Sequence, residues 1–306
     1  MLQQTQVKTV IPYYKKFLWR FPTARRLAGA PEREVLKYWA GLGYYRRARH
    51  LHQAAQVVVR SRGGKFPGDL AGIRDLPGVG DYTAAAVGSI ALGIPAAVVD
   101  GNVVRVLCRL MGWQGDPTRA PLKQRLAALA QEFLDPARPG DWNQAMMELG
   151  ALLCTPRVPS CPQCPLRARC VARAKGWQAV LPELPERQVA VRVEKIVTVS
   201  LRAGRVWLVP KVPVNKGRGR MAGLWGFPEQ EVRSGATAPR GARLLADFTH
   251  TIMHYRLHVR AYLTRSGRLF TPKGGQWVRI EDLREHPLPS ADRKIAESLK
   301  KQHLEK

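Results

Sequence analysis

Four cysteines, Cys154, Cys161, Cys164 and Cys170, crowd into 17 residues with the spacing C-x6-C-x2-C-x5-C. Two cysteines a short step apart chelate one centre, and the flanking two complete a set of four thiolates. Such a set suits zinc or an iron–sulfur cluster. Four-thiolate zinc sites commonly use two short pairs. Only one short pair is present, which leans toward a [4Fe–4S] cluster. Cys108 stands apart on an apolar helical face and reads as a core residue. Five cysteines are too few for a disulfide scaffold in 306 residues. Arg157, Arg167, Arg169 and Arg173 flank the cluster. They either dock on a phosphate backbone or solvate the loop and offset thiolate charge.

The rest of the chain changes hydrophobic period once. Up to residue 173 the apolar spacing is helical, with helices expected over 7–21, 24–28, 32–40, 46–60, 70–76, 82–91, 102–111, 119–133 and 142–153. Residues 174–188, with Pro182 and Pro185, read as a linker. Beyond it the period turns to that of strands, over 189–193, 196–201, 206–209, 255–263 and 276–280, with a closing helix over 290–302. The expected organisation is a helical domain over 1–173 and a small α+β domain over 189–306. The 50 basic residues outnumber 23 acidic ones, for a formal charge of +27. The excess is spread along the chain and favours a polyanionic partner, nucleic acid or an anionic membrane. No apolar run is long enough for a membrane span, and the start has no secretory core. The expected address is the cytoplasm.

Three further stretches carry chemistry. In Leu76-Pro-Gly-Val-Gly80, glycines permit a tight reversal before a helix whose first amides are free to meet a phosphate oxygen; a plain turn is the alternative. Asp100 ends an apolar segment just before a helix and reads as its cap. The same carboxylate is able to face a developing cation, as glycosidic cleavage requires. Near the start, Gln3 and Gln4 offer amides to base edges or simply begin a solvated helix. Gly41-Leu-Gly-Tyr-Tyr45, followed by Arg46, Arg47 and Arg49, sets aromatics beside cations, useful where a duplex is opened. Two tyrosines packed at a helix junction are the alternative.

Together these residues resemble the adenine DNA glycosylases of base-excision repair, within the helix-hairpin-helix glycosylase superfamily. The resemblance rests on Met1–Gln6, Gly41–Tyr45, Leu76–Gly80, Val99–Val103, Asn143–Gly150 and the four cysteines, and covers most of residues 1–170. It continues more weakly at Gly223–Pro228 and His250–His254. It implies a mainly α helix-hairpin-helix domain with an iron–sulfur cluster loop, plus a C-terminal α+β Nudix-like domain that reads 8-oxoguanine. The implied activity is monofunctional removal of adenine opposite 8-oxoguanine or guanine in double-stranded DNA, by a monomer. Asp100 would stabilise the sugar cation and direct water. Gln3, Gln4 and Tyr44 would lie at the mismatch, Leu76, Gly78, Val79 and Gly80 would hold backbone, and His254 would lie in the reading domain. Relatives that also cut the strand carry a lysine where Tyr82 stands here, so no Schiff base is expected. An endonuclease III-like lyase is therefore disfavoured; a non-catalytic DNA-binding protein is the other alternative.

Two departures stand out. The family's general acid is a glutamate two residues upstream of the methionine matching Met1, where this sequence starts. The expectation is a start codon lying upstream, and near inactivity of the chain as it stands. Many members also carry Phe-Ser-His where Ile252, Met253 and His254 stand, so a serine that senses 8-oxoguanine is replaced by methionine. Thr249 or Thr251 would have to compensate. The carboxylates of a Nudix hydrolase helix are missing after Glu229 and Glu231, so pyrophosphate hydrolysis is not expected.

Overall fold

The computed structural model describes residues 1–3, 5–185, 189–211, 223–232, 238–252, 255–265 and 270–304. The chain forms two compact units, one of Met1–Arg60 with Gln188–Lys306, the other Ser61–Arg187.

The first unit opens with helices α1 (Val7–Arg20), α2 (Ala24–Ala28), α3 (Glu32–Trp39) and α4 (Arg46–Ser61). Thr23 caps α2 by accepting from the Arg26 amide, as its place after Pro22 leads one to expect. Phe17, Phe21, Val35, Leu36 and Trp39 close the core of these helices, and Leu224, far along the chain, joins it. The Tyr45 hydroxyl donates to the Leu288 carbonyl at 3.0 Å, a second tie to the C-terminal part.

That C-terminal part is a sheet with one long closing helix. Its strands are β1 (Val191–Arg202), β2 (Arg205–Pro210), β3 (Trp225–Gly226), β4 (Glu229–Val232), β5 (Arg243–Ile252), β6 (Tyr255–Arg265) and β7 (Gln276–Arg279). Among the described residues the order is β3-β2-β1-β6-β5, with β4 on β1 and β7 on β2. β1 runs parallel to β6, from Val191 opposite Tyr255 to Leu201 opposite Arg265. A two-residue hairpin joins β1 to β2, with Ala203 and Gly204 both at positive φ, the geometry that matches strand twist. Val199, Val206, Leu208, Phe227 and Ala261 fill the core beneath the final helix, which contributes Ile295 and Leu299.

The expected strands 189–193 and 196–201 are one continuous strand. The expectation missed β3, β4 and β5. The first two are short and interrupted by Gly226 and Pro228, which read as breakers. β5 leaves much of one face in water, so its apolar alternation is diluted by Asp247, Thr249 and Thr251.

The second unit is helical. It holds α5 (Leu70–Arg74), α6 (Asp81–Leu92), α7 (Gly101–Met111), α8 (Ala120–Glu132), α9 (Pro139–Glu148) and α10 (Val171–Lys175), and the last helix of the whole chain, in the first unit, is α11 (Ser290–Leu304). Val103, Leu107, Cys108, Leu126 and Leu129 form the core between α7 and α8. Cys108 is fully buried and burial pushes its thiol up to about 11, as suits an inert core cysteine. The expected helix over 142–153 is split. Its last turn, Leu149–Leu153, is a π-helix, closed by the Cys154 amide donating to the Leu149 carbonyl at 2.7 Å. Gly150 sits at that turn with its Cα against Asn102; a methyl there would lie 2.9 Å from the Asn102 carbonyl oxygen. Close packing against the start of α7 thus coincides with the widened turn.

Candidate active site and cluster loop

Asp100 stands at the N-cap of α7. Its Oδ1 accepts from the backbone amides of Asn102 and Val103, each at 2.8 Å, and its Oδ2 accepts from the Asn102 side-chain amide at 2.9 Å. The cap expected from sequence is therefore present, and it aims the carboxylate from a rigid helix end. The segment leading to it is pinned by Asn143, buried on α9. Asn143 donates to Ser89 Oγ and the Ala96 carbonyl and accepts from the Val98 amide. This explains the asparagine that opens the Asn143–Gly150 motif.

Beyond Asn102 the bonds continue along α7. Asn102 Oδ1 accepts from Arg105 Nη2 at 2.9 Å. Arg105 also donates to the carbonyls of Cys154 at 2.7 Å and Gly150 at 2.6 Å. One turn on, Arg109 is 2% exposed and donates to the carbonyls of Thr155, Pro156 and Leu181 and to Cys154 Sγ at 3.4 Å. Both arginines spend their forks on loop carbonyls, so helix and cysteine loop form one hydrogen-bonded body. Sequence reading passed over them. The signal was available: two arginines four apart, on a helix otherwise rich in apolar residues, share one face.

The four loop cysteines are all partly buried. Cys161 follows the first loop segment in a short helical turn, Cys161–Gln163, and Cys170 caps α10, its sulfur 3.4 Å from the Arg109 carbonyl. Burial raises the Cys161 thiol, and the charges of Cys154, Cys170 and Cys164 raise it further. The other three cysteines thus lie near enough to Cys161 to act on its charge, with the Arg109 guanidinium acting the other way. Among the described residues no three His, Cys, Asp or Glu side chains converge on a single-ion site. The donor set, all thiol and partly screened from water, fits in kind a cluster carried by four thiolates.

The hairpin lies in the same unit. Asp69 caps α5 by accepting from the Gly72 amide at 2.8 Å. The Val79 amide closes the turn on the Leu76 carbonyl, Gly78 takes φ 78°, and Gly80 becomes the N-cap of α6 without a side-chain cap. Leu76 is buried and anchors the turn from inside, while Gly78 and Gly80 are exposed at its tip. Tyr82 follows in the first turn of α6, its hydroxyl near Met147 Sδ. Burial raises its phenol, and the negative charge of Asp100 raises it further, which sets Tyr82 within electrostatic reach of the carboxylate.

In the other unit Tyr44 is half exposed and the Gln3 backbone is held by Arg47. Gln4 and His254, named from sequence, lie outside the described residues, as does Met253. Thr249 and Thr251 are exposed on one face of β5, opposite His258 and Arg256 of β6. An ion cluster around the buried Asp292 has no signature in the sequence. Lys211, at the end of β2, meets Glu229 at 2.8 Å and Asp292 at 3.4 Å, and Glu229 also meets Lys195 at 2.9 Å. Asp292 in turn accepts from the Phe227 amide at 2.8 Å. These groups tie β2, β4 and α11 together, and they engage Glu229 with lysines.

A family model described as "HhH-GPD superfamily base excision DNA repair protein" matches residues 1–132, and one for a NUDIX domain matches residues 197–298. A solved thermostable thymine-DNA glycosylase is similar at 34% identity and a TM-score of 0.52, over 57% of this chain and 80% of that one. The chain belongs to the helix-hairpin-helix superfamily of base excision DNA repair proteins. Within this superfamily it is similar to the human adenine DNA glycosylase, 34% identical over 358 residues and 96% of this chain. It spans 66% of that relative's length. The rat adenine DNA glycosylase is 50% identical over 186 residues, which cover 60% of this chain and 36% of the relative. The C-terminal part of this superfamily member is a Nudix-like α+β domain, as its sheet and closing helix bear out. No helix among the described residues is long and apolar enough to cross a membrane.

Proposed function

We propose that this chain is a monofunctional adenine DNA glycosylase that removes adenine opposite 8-oxoguanine or guanine from double-stranded DNA. The observation that carries the reading is Asp100, fixed by three donors at the N-terminus of α7, with Tyr82 rather than a lysine two residues past the hairpin's last glycine. In this reading adenine leaves the stack and enters a pocket. Hydrolysis breaks the bond between the base and C1′ of the sugar, and adenine departs with a proton. Water supplies the oxygen that replaces it. The Asp100 carboxylate faces the cationic sugar and orients that water. Its bonds to α7 hold it still, so no reorganisation is needed as charge develops. The amides around Gly78–Gly80 hold a phosphate, and Gln3, Gln4, Tyr44 and His254 serve the mismatch.

We further read Cys154, Cys161, Cys164 and Cys170 as the ligands of a [4Fe–4S] cluster. Bound there, it would brace the loop that α7 grips and supply a redox-capable centre. The domain limits that accompany this function are 1–173 for the glycosylase, 174–188 for a linker and 189–306 for the 8-oxoguanine reader, acting as a monomer in the compartment that holds the DNA.

The test is adenine release from duplexes containing A·8-oxoguanine, A·G and A·T, with borohydride present in a parallel reaction. The expected result is adenine released faster from the first two duplexes than from A·T, at a rate lowered by the lack of a counterpart to the family's acid glutamate among residues 1–306, and no trapped protein–DNA adduct. A trapped adduct would overturn the monofunctional reading, and mismatch binding without release would make the chain a non-catalytic damage binder. Iron and acid-labile sulfide in near-equal amounts support the cluster; stoichiometric zinc in the purified protein refutes it.

A further inference from the structure

Tyr44 carries φ 48°, a left-handed conformation that strains an aromatic residue and persists only where its surroundings impose it. Gly41 and Gly43 beside it also take positive φ, 104° and 72°. The residue that imposes the loop is Arg47, in the first turn of α4. Its guanidinium stacks over the Tyr44 ring at 5.2 Å and over the Trp39 indole at 5.5 Å. Nη2 donates to the Gly43 carbonyl at 3.4 Å and to Thr5 Oγ1 at 3.0 Å. Nη1 donates to the Met1 carbonyl at 2.8 Å and to the Gln3 carbonyl. One head group thus clasps three pieces of chain: the glutamine segment, the tyrosine loop and the end of α3.

The clasp is built at a cost. Among the described residues no carboxylate pairs with Arg47, and its Nε is buried without a partner. Burial lowers its pKa, with the nearby Tyr44 acting the other way. A surface arginine kept for DNA affinity would hold its charge in water. This one turns its donors inward, to neutral carbonyls and a hydroxyl.

We infer that Arg47 is a specificity-setting positioning residue, holding the Gln3 segment and the Tyr44 wedge as one rigid reading unit. The inference rests on the proposed reading in which those two groups meet the mismatch. Arg47 acts through them and touches no reacting atom.

The test compares wild type with Arg47→Lys, Tyr44→Ala and the double variant. Lysine keeps the charge and stem but has neither the planar fork nor the stacking face. Equilibrium binding is measured on A·8-oxoguanine and matched A·T duplexes, with melting temperature as the control for folding. Arg47→Lys is expected to leave matched-duplex affinity within about twofold and to lower the mismatch preference about tenfold, the size of one lost interaction network. Tyr44→Ala is expected to lower it by a similar factor, and the double variant by little more, because the two residues act as one. A mismatch preference retained in Arg47→Lys overturns the inference, as do losses that multiply in the double variant. If wild type shows no mismatch preference at all, the proposed function fails first and takes this inference with it.

Discussion

Replacing Asp100 separates the two jobs that one side chain performs. Asparagine retains an oxygen able to accept from the amides of Asn102 and Val103, while alanine removes the cap. Asp100→Ala is expected to cost about 1 kcal/mol of stability, and Asp100→Asn clearly less, read as melting temperature. A second residue-scale case is Lys211. Removing it by Lys211→Met leaves the buried Asp292 carboxylate beside the partly exposed Glu229, with Lys195 the remaining cation on Glu229 among the described residues. The expected loss is about 3–5 kcal/mol, seen in denaturant unfolding. Burial alone would raise the Glu229 pKa, but Lys211 and Lys195 outweigh it and hold the carboxyl below its ordinary 4.5. Its contribution to stability is thus present above pH 4.5 and lost as pH falls through the lower folded value. Wild type is expected to lose stability in that acid window, and Lys211→Met to lose less of it there. Equal acid sensitivity in the two proteins would mean that Lys211 does not set the Glu229 titration.

At the scale of elements, α7 joins the two halves of the chemistry. It caps on Asp100 at one end and grips the cysteine loop through Arg105 and Arg109. Arg109→Leu preserves the apolar packing but abandons the carbonyls of Thr155, Pro156 and Leu181. With the proposed cluster in the loop, it is expected to yield protein with a much lower iron content than wild type and a lower melting temperature; iron loading equal to wild type would show that the loop does not depend on the grip of α7. The helices and the cysteine loop were legible because their signals are local: apolar period, caps at Thr23 and Asp100, and cysteine spacing. The grip of α7 was not, since Arg105 and Arg109 look like ordinary surface cations until the loop some 45 residues later folds over them. The same holds for the Arg47 clasp, whose partners are backbone carbonyls that carry no sequence signature. β5 escaped reading because its polar face hides the alternation, and the π-turn because its cause, Gly150 against Asn102, is tertiary.

Across the whole molecule the formal charge of +27 bears on the proposed binding of DNA. With six to ten phosphates neutralised, log affinity against log salt has a slope of about −5 to −9. Titration of matched duplex between low and physiological salt is expected to fall in that range, and a slope near zero would show that the charge is not used on backbone. Electrostatic binding of this kind brings no base selectivity; selectivity belongs to the groups at the mismatch. The proposed chemistry belongs to Asp100. The decisive measurement is single-turnover adenine release from an A·8-oxoguanine duplex by wild type and Asp100→Asn. The expected result is adenine release that Asp100→Asn lowers by at least about 100-fold, with mismatch binding kept. Release at the wild-type rate by Asp100→Asn would contradict the role given to this carboxylate.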